Sequence, residues 1–291
     1  MRKTKLLKVA QVLENAIIKM ETTGEWIKGI PTNPIWSDLA VLEIDNFVEV
    51  VNNQLDKQLQ SYLDRVNDYI PVIRELEIEV TSYEGFVREY ITNDTNVWED
   101  ELQGLYYNTM LKLMSDTIQL YIKEFNISID LNKFDINISN FLETKSIKWA
   151  KQVNQTTENA VRELIVKGYE EGKHFTRIAQ ELKDLPEFNI SRSITVARTE
   201  ILSSTNHVDF YYNVNTGIYY AKKWRTSRDE RVRESHQQAE GQVVLINETF
   251  NVGGFQLMYP GDTENGAPAG EIINCRCGLE YLTEEEYNSL Q

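Results

Sequence analysis

Asn213-Val214-Asn215-Thr216-Gly217-Ile218-Tyr219-Tyr220-Ala221-Lys222-Lys223-Trp224 is the stretch where the chain changes its period. Upstream, apolar residues recur at steps of three and four, the mark of helices with one buried face. The polar run ending in Gly217 supplies a helix exit. Downstream, the aromatic-rich run 218–224 predicts a strand. The fold class follows: a mostly α N-terminal body of long helices, then a small α+β C-terminal module.

Working back from that break, Ser191 is expected to open a helix through Tyr212, and Thr176 to cap a shorter one over 177–184 that ends at Leu185-Pro186. Helices are predicted over 72–92, 96–125 and 138–172. Between the last two, 126–137 alternates apolar and polar residues in part and predicts a short hairpin or an extended arm. A long helix capped by Ser37 or Asp38 runs to Ile70, with Pro71 as its end or a kink. Leu6, Leu7, Ala10, Leu13, Ile17 and Met20 place a helical stripe over 4–20, followed by a breaker-rich loop from Gly24 to Pro34.

Working forward, 229–240 reads as a short helix, and 242–246 and 249–252 as strands. Gly253-Gly254 and 260–270 read as loops. In Tyr259-Pro260-Gly261-Asp262, proline fixes φ at the second position and glycine permits a positive φ at the third, the chemistry of a type II turn. Thr283-Glu284-Glu285-Glu286 predicts a capping box for a last helix. The expected domains are 1–140, helical; 141–217, a helical hairpin region; and 218–291, the α+β module.

The chain has 291 residues, 41% hydrophobic and 26% charged, which suits two folded domains and argues against disorder. No apolar run reaches the roughly 18–20 residues of a membrane span. The basic start is followed by Gln11, Glu14, Asn15 and Lys19, so no signal peptide is expected. Two cysteines one residue apart are not a disulfide framework and agree with a reducing compartment. The net charge of −15 argues against a dedicated nucleic-acid binder. Within 222–233, however, six basic residues face Asp229 and Glu230, so a DNA contact of a few phosphates is weighed against a solvated face with internal ion pairs.

His236, Cys275 and Cys277 are of the types that zinc takes. Their spacing is not a known finger pattern, and a fourth ligand is not obvious; Asp229 and Asp262 are the candidates. The other reading, which the sequence favours, is a polar knot. In it His236 is hydrogen-bonded, Asn274 holds a turn, and the cysteines pack as small apolar side chains. A Cys–His nucleophile and an i,i+2 disulfide are both disfavoured, the first by competing thiols, the second by strain. Asp229, Arg231 and Arg233 are expected on the first turns of the helix carrying His236, with one arginine clasping Asp262. Arg198 and Glu200 are expected either to link body and module or to form a surface pair. Trp224 and Tyr219 read as core. No cofactor is expected, unless zinc is bound.

The ordered set Ala197-Arg198-Thr199-Glu200, Lys223-Trp224, Asp229-Glu230-Arg231-Val232-Arg233-Glu234-Ser235-His236, Gly253-Gly254, Tyr259-Pro260-Gly261-Asp262 and Asn274-Cys275-Arg276-Cys277 resembles the Mu F-like minor head protein family of tailed bacteriophages over about residues 145–282. The resemblance implies a non-enzymatic minor capsid protein for head morphogenesis, bound at or near the portal inside the procapsid. It further implies effects on DNA packaging or ejection. The implied partners are the portal protein and the major capsid or scaffolding protein, with no membrane. The implied location is the virion interior, after assembly in the host cytoplasm. Residues 1–140 are assigned to portal or capsid contact from their helicity alone. Related modules are joined to toxin domains; with only about ten residues after Tyr281, none is expected to follow here. The alternative is a metal-dependent nuclease or hydrolase acting during packaging, with Asp229, Glu230 and Asp262 as its carboxylates.

Overall fold

A computed structural model describes residues 34–75, 84–125 and 131–290. The stripe over 4–20 and the loop from Gly24 lie outside the described residues. Within them, Val41–Ile201 form one compact unit, and Leu202–Gln291 belong to another.

The first unit is helical. Helix α1 spans Pro34–Glu75, α2 Thr95–Phe125, α3 Leu131–Glu170 and α4 Phe175–Lys183, and α5 begins at Ile190. Three expectations are corrected here. α1 starts at Pro34, not at a Ser37 or Asp38 cap, because proline suits the first helical position. It also runs past Pro71 to Glu75, so of the two readings of that proline, an end or a kink, the end is ruled out. Of the hairpin or arm expected at 126–137, residues 126–130 lie outside the described residues and the rest is helix from Leu131 onward. There Leu131, Phe134, Ile138 and Leu142 are spaced by three and four, and that period overrides the partial alternation.

Phe47, Tyr106 and Trp149, one each from α1, α2 and α3, form an aromatic cluster with ring centroids 4.9–6.3 Å apart. Below it runs a buried polar line. Gln58 donates to Asn154 Oδ1 at 2.6 Å, Asn154 donates to Glu158 at 2.9 Å, and Thr95 donates to Glu158 at 2.5 Å. Each buried group is satisfied by its neighbour, which such burial requires. Arg65 clasps Asp94 through two bonds of 2.7 Å and donates to the carbonyl of Ile91, fastening the short π-helical segment Val87–Ile91 to α1. Gly168 lets α3 and α4 approach closely, since a Cβ there would meet Ile178 at 2.8 Å. The cap of α4 is His174, not Thr176: its Nδ1 accepts from the Thr176 amide.

Helix α5 runs to Thr216 and ends in Gly217 at φ 65°. Its Asn189 side chain accepts from the Ser191 amide, so the helix starts one residue earlier than expected. In the second unit, β1 (Ala221–Arg225) is the centre of an antiparallel sheet of order β2-β1-β5, with β2 Val243–Leu245 and β5 Gly278–Leu282. Trp224 pairs with Leu279, and Lys223 with Val243. A separate hairpin joins β3 (Phe250–Val252) to β4 (Phe255–Leu257) through Gly253-Gly254. Three short helices complete it: α6 Glu234–Ala239, α7 Ala269–Ile272 and α8 Glu284–Ser289. Thr283 and Glu286 close the capping box read from the sequence. Trp224, Phe250, Leu257, Tyr259 and Leu279 make the core, with Phe210 of α5 and both cysteines packed among them.

Candidate functional site

The Tyr-Pro-Gly-Asp turn is closed by the Asp262 amide donating to the Tyr259 carbonyl at 3.1 Å, and Gly261 adopts φ 83°. The turn is pinned to the C-terminal half of α5. Ser203 donates to the Gly261 carbonyl at 2.7 Å, and Asn206 donates to the carbonyls of Pro260 and Cys277 at 3.1 Å each. His207 Nδ1 lies 2.7 Å from the Tyr259 hydroxyl. Gly261 is needed for more than its dihedral, since a Cβ there would sit 2.9 Å from the Ser203 Cβ. Ser203 and Asn206 are not among the residues the motifs single out, and His207, not compelling as a metal ligand, serves the turn instead. Their signal was available in Ser203-Ser204-Thr205-Asn206-His207, five polar residues in mid-helix, all of them buried.

Asp262 is fully buried and is not clasped by an arginine, as had been expected. Its carboxylate accepts from the amides of Met258 at 2.9 Å and Glu264 at 2.8 Å, and from Asn265 Nδ2 at 2.9 Å. N–H groups flanking the turn converge on the carboxylate from positions two to four residues away and saturate it locally. The arginine clasp falls on Asp229 instead. Arg276, between the two cysteines, holds it bidentately, with one bond at 2.7 Å. Arg276 leads in holding the Asp229 carboxyl down at about 2, with burial opposing it and the Arg231 amide helping. Asp229 and Arg231 lie in a turn, not in the first turns of a helix, because α6 starts only at Glu234. Arg231 reaches Asp229 at 3.6 Å, and Arg233 donates to the Ile273 carbonyl.

The basic run 222–233 is largely spent inside the module. Glu240 accepts from Arg225 at 3.1 Å, from Arg228 at 2.8 Å and from the Thr226 amide at 2.6 Å. Burial opposes the Glu240 charge, but the Thr226 and Arg228 donors outweigh it and hold the carboxyl at about 2. Arg225 also meets Glu280 at 2.6 Å. Lys222 is buried, with its ammonium donating to the Met258 carbonyl at 2.9 Å and lying 4.4 Å from the Phe210 ring centre. Burial, against the charges of Asp262 and Glu248, lowers Lys222 to about 8. Glu200 keeps its contacts inside the helical unit. It accepts from the Tyr106 hydroxyl at 3.0 Å and meets Lys145 at 3.5 Å, so it is not a surface pair. Arg198, on the same helix, is half-buried. Trp224 is fully buried, as read from the sequence, and Tyr219 is half-buried against Tyr281.

His236, Cys275 and Cys277 meet. One donor atom from each lies within 4.8 Å of the others, and all three residues are buried. His236 Nδ1 is 3.3 Å from Cys277 Sγ and 3.6 Å from Cys275 Sγ. The far ring nitrogen, Nε2, lies 3.0 Å from Glu271, which accepts in turn from Ser235 at 2.8 Å. Neither Asp229 nor Asp262 joins this group. Asn274 takes φ 57°, a conformation that asparagine tolerates, and so turns the chain into the Cys-Arg-Cys segment. The hydrogen bond from Cys277 leads the influences holding the Cys275 thiol well below its ordinary range, against burial and with help from His236. Cys277 is driven up, by Cys275 first and then by burial. Burial lowers His236, but Cys275 and Glu271 outweigh it and leave the imidazole raised.

Residues 159–280 match the model of the family described as Phage Mu protein F like protein. This segment is therefore Mu F-like, and the resemblance read from the motifs holds. Minor head protein GP7 of Bacillus phage SPP1 is 20% identical over 277 residues, covering 85% of this chain and 87% of that protein. Protein YqbB of Bacillus subtilis, itself uncharacterized, is 21% identical over 84% of this chain and 79% of its own length. An Enterococcus faecalis protein named NAD(+)–arginine ADP-ribosyltransferase EFV is 26% identical over 62% of this chain, but only 36% of the relative is covered. No solved structure matches.

Proposed function

We propose that the protein is a minor head protein that acts structurally in assembling a phage head, bound at or near the portal inside the procapsid. Its helical body contacts the portal or the capsid wall, and its location is the virion interior after assembly in the host cytoplasm. From there it bears on DNA packaging or ejection. The observation that carries this reading is the Mu F-like segment, together with likeness to a minor head protein over most of both chains. The geometry supports an architectural use. Asp229 is consumed by Arg276 and Asp262 by its own turn, so neither is free to hold a catalytic divalent cation. Among the described residues no helix is long and apolar enough to cross a membrane.

Co-expression with the cognate portal protein tests the reading. The full chain is expected to co-purify with the portal. Failure of the full chain to associate with either portal or procapsid would overturn it. The non-enzymatic part has its own assay. Incubated with NAD+ and an arginine-rich protein acceptor, the chain is expected to transfer no ADP-ribose; transfer would contradict a purely structural role.

A further inference from the structure

We propose that His236 Nδ1, Cys275 Sγ and Cys277 Sγ are three ligands of one structural zinc ion that closes the C-terminal module. The geometry is the first support. Zinc binds sulfur at about 2.3 Å and imidazole nitrogen at about 2.0–2.1 Å in a tetrahedron, which places a nitrogen and a sulfur about 3.5 Å apart. The two observed separations, 3.3 and 3.6 Å, bracket that value.

The second support comes from behind the imidazole. Glu271, itself anchored by Ser235, is placed to accept a hydrogen bond from Nε2–H, and in that tautomer the Nδ1 lone pair faces the two sulfurs. A carboxylate on the far nitrogen of a metal-binding histidine fixes the tautomer and raises ligand basicity. A third support is the backbone. Cys275 and Cys277 are two residues apart, and the Asp229–Arg276 clasp holds the residue between them, so both sulfurs face one point. Soft sulfur donors select zinc over the hard divalent cations.

The charges also balance. Two thiolates and one Zn²⁺ sum to zero, so the buried group carries no net charge into the core formed by Trp224, Phe250 and Leu279. Binding displaces two protons to solvent, one from Cys277 and one from the Cys275–His236 pair. Among the described residues, histidine, cysteine and carboxylate groups supply three donors at this point, so the fourth position takes a water or a donor from outside the described chain. The ion joins α6 to the Cys-Arg-Cys segment across 39 and 41 residues of sequence. A small module with a modest core gains most from such a link.

The test uses the full chain, purified in a thiol-preserving reductant from zinc-supplemented cells, and does not depend on any phage role. About one zinc per chain is expected, and about two protons released per zinc when the chelator-stripped protein is titrated in dilute buffer. Cobalt(II) added to the stripped protein should give a sulfur-to-metal charge-transfer band that disappears in Cys275→Ser and in Cys277→Ser. Stripping should lower the melting temperature, and zinc should restore it. Less than about 0.2 metal per chain after titration, with no charge-transfer band in the wild type, overturns the proposal and leaves a hydrogen-bonded knot. Metal that binds with an unchanged cobalt spectrum in either serine variant overturns the ligand assignment. Because the wild-type titration carries the main result, a variant that fails to fold does not blunt it.

Discussion

The helical unit and the C-terminal module solve the same problem in different ways. Over Val41–Ile201, order is spread along helices of up to 40 residues, with contacts repeated turn after turn. An aromatic cluster and one buried polar line add specificity to packing that periodicity already dictates. Over Leu202–Gln291, strands are only three to five residues long, and shape depends on single residues placed at single points. A turn is pinned by three side chains of α5, an arginine sits between two cysteines, and a histidine is wedged against both. Distributed packing tolerates local loss; point fastening does not.

That contrast is open to breaking. The largest effect is expected from Trp224→Ala, which empties the centre of the module and should cost about 3–5 kcal/mol. Hydrogen exchange should show the loss in β1 and β5 while the amides of α1 to α3 keep their protection; equal loss in both would erase the distinction. Next comes Gly261→Ala. It combines a positive φ with a Cβ 2.9 Å from Ser203 and should cost about 2–4 kcal/mol in thermal unfolding. In the helical unit, Asn154→Ala leaves Gln58 and Glu158 with one partner fewer and should cost about 1–3 kcal/mol. A larger loss there than at Gly261 would reverse the ranking of the two regions.

The smallest expected effects are those of pH. Asp229 and Glu240 have folded values of about 2, below their ordinary range, so the unfolded chain takes up protons first. Their contribution is present above about pH 4.5 and is lost as pH falls toward 2, by about 1 kcal/mol each once solvent screening is allowed for. Glu240→Gln should flatten that acid limb. Lys222 has the opposite placement. It is lowered to about 8, so the unfolded chain holds its proton longer and the module gains stability as pH rises from about 8 to about 10.4. Lys222→Met should abolish that rise in a pH series of melting temperatures, and a persisting rise would deny the lysine its buried position.

The two regions also differ in how much of them shows in the sequence. Steps of three and four among apolar residues mark α1 to α5, and errors there fall at ends, where Pro34, Pro71 and Leu131 compete with local signals. In the module, β1, the Tyr-Pro-Gly-Asp turn and the Thr283 capping box carry local chemistry strong enough to read. β5 does not, because its five residues follow the Cys-Arg-Cys segment with no turn signal to announce them. Side-chain pairing is harder still. That Arg276 takes Asp229 and not Asp262 depends on which backbone amides saturate Asp262 first. Glu240 and Glu271 look like ordinary surface carboxylates until the chain brings three donors to one and an imidazole to the other. The meeting of His236 with both cysteines was readable as residue types, but the distances that give it chemical meaning come only with the fold.

The most direct measurement is quantitative mass spectrometry of intact heads, purified by gradient from cells producing the chain with its cognate portal and capsid proteins. The chain should be retained in the heads at a fixed ratio to the portal after high-salt washing. Heads of normal yield that lack it, with the chain left among free proteins, would contradict the architectural role.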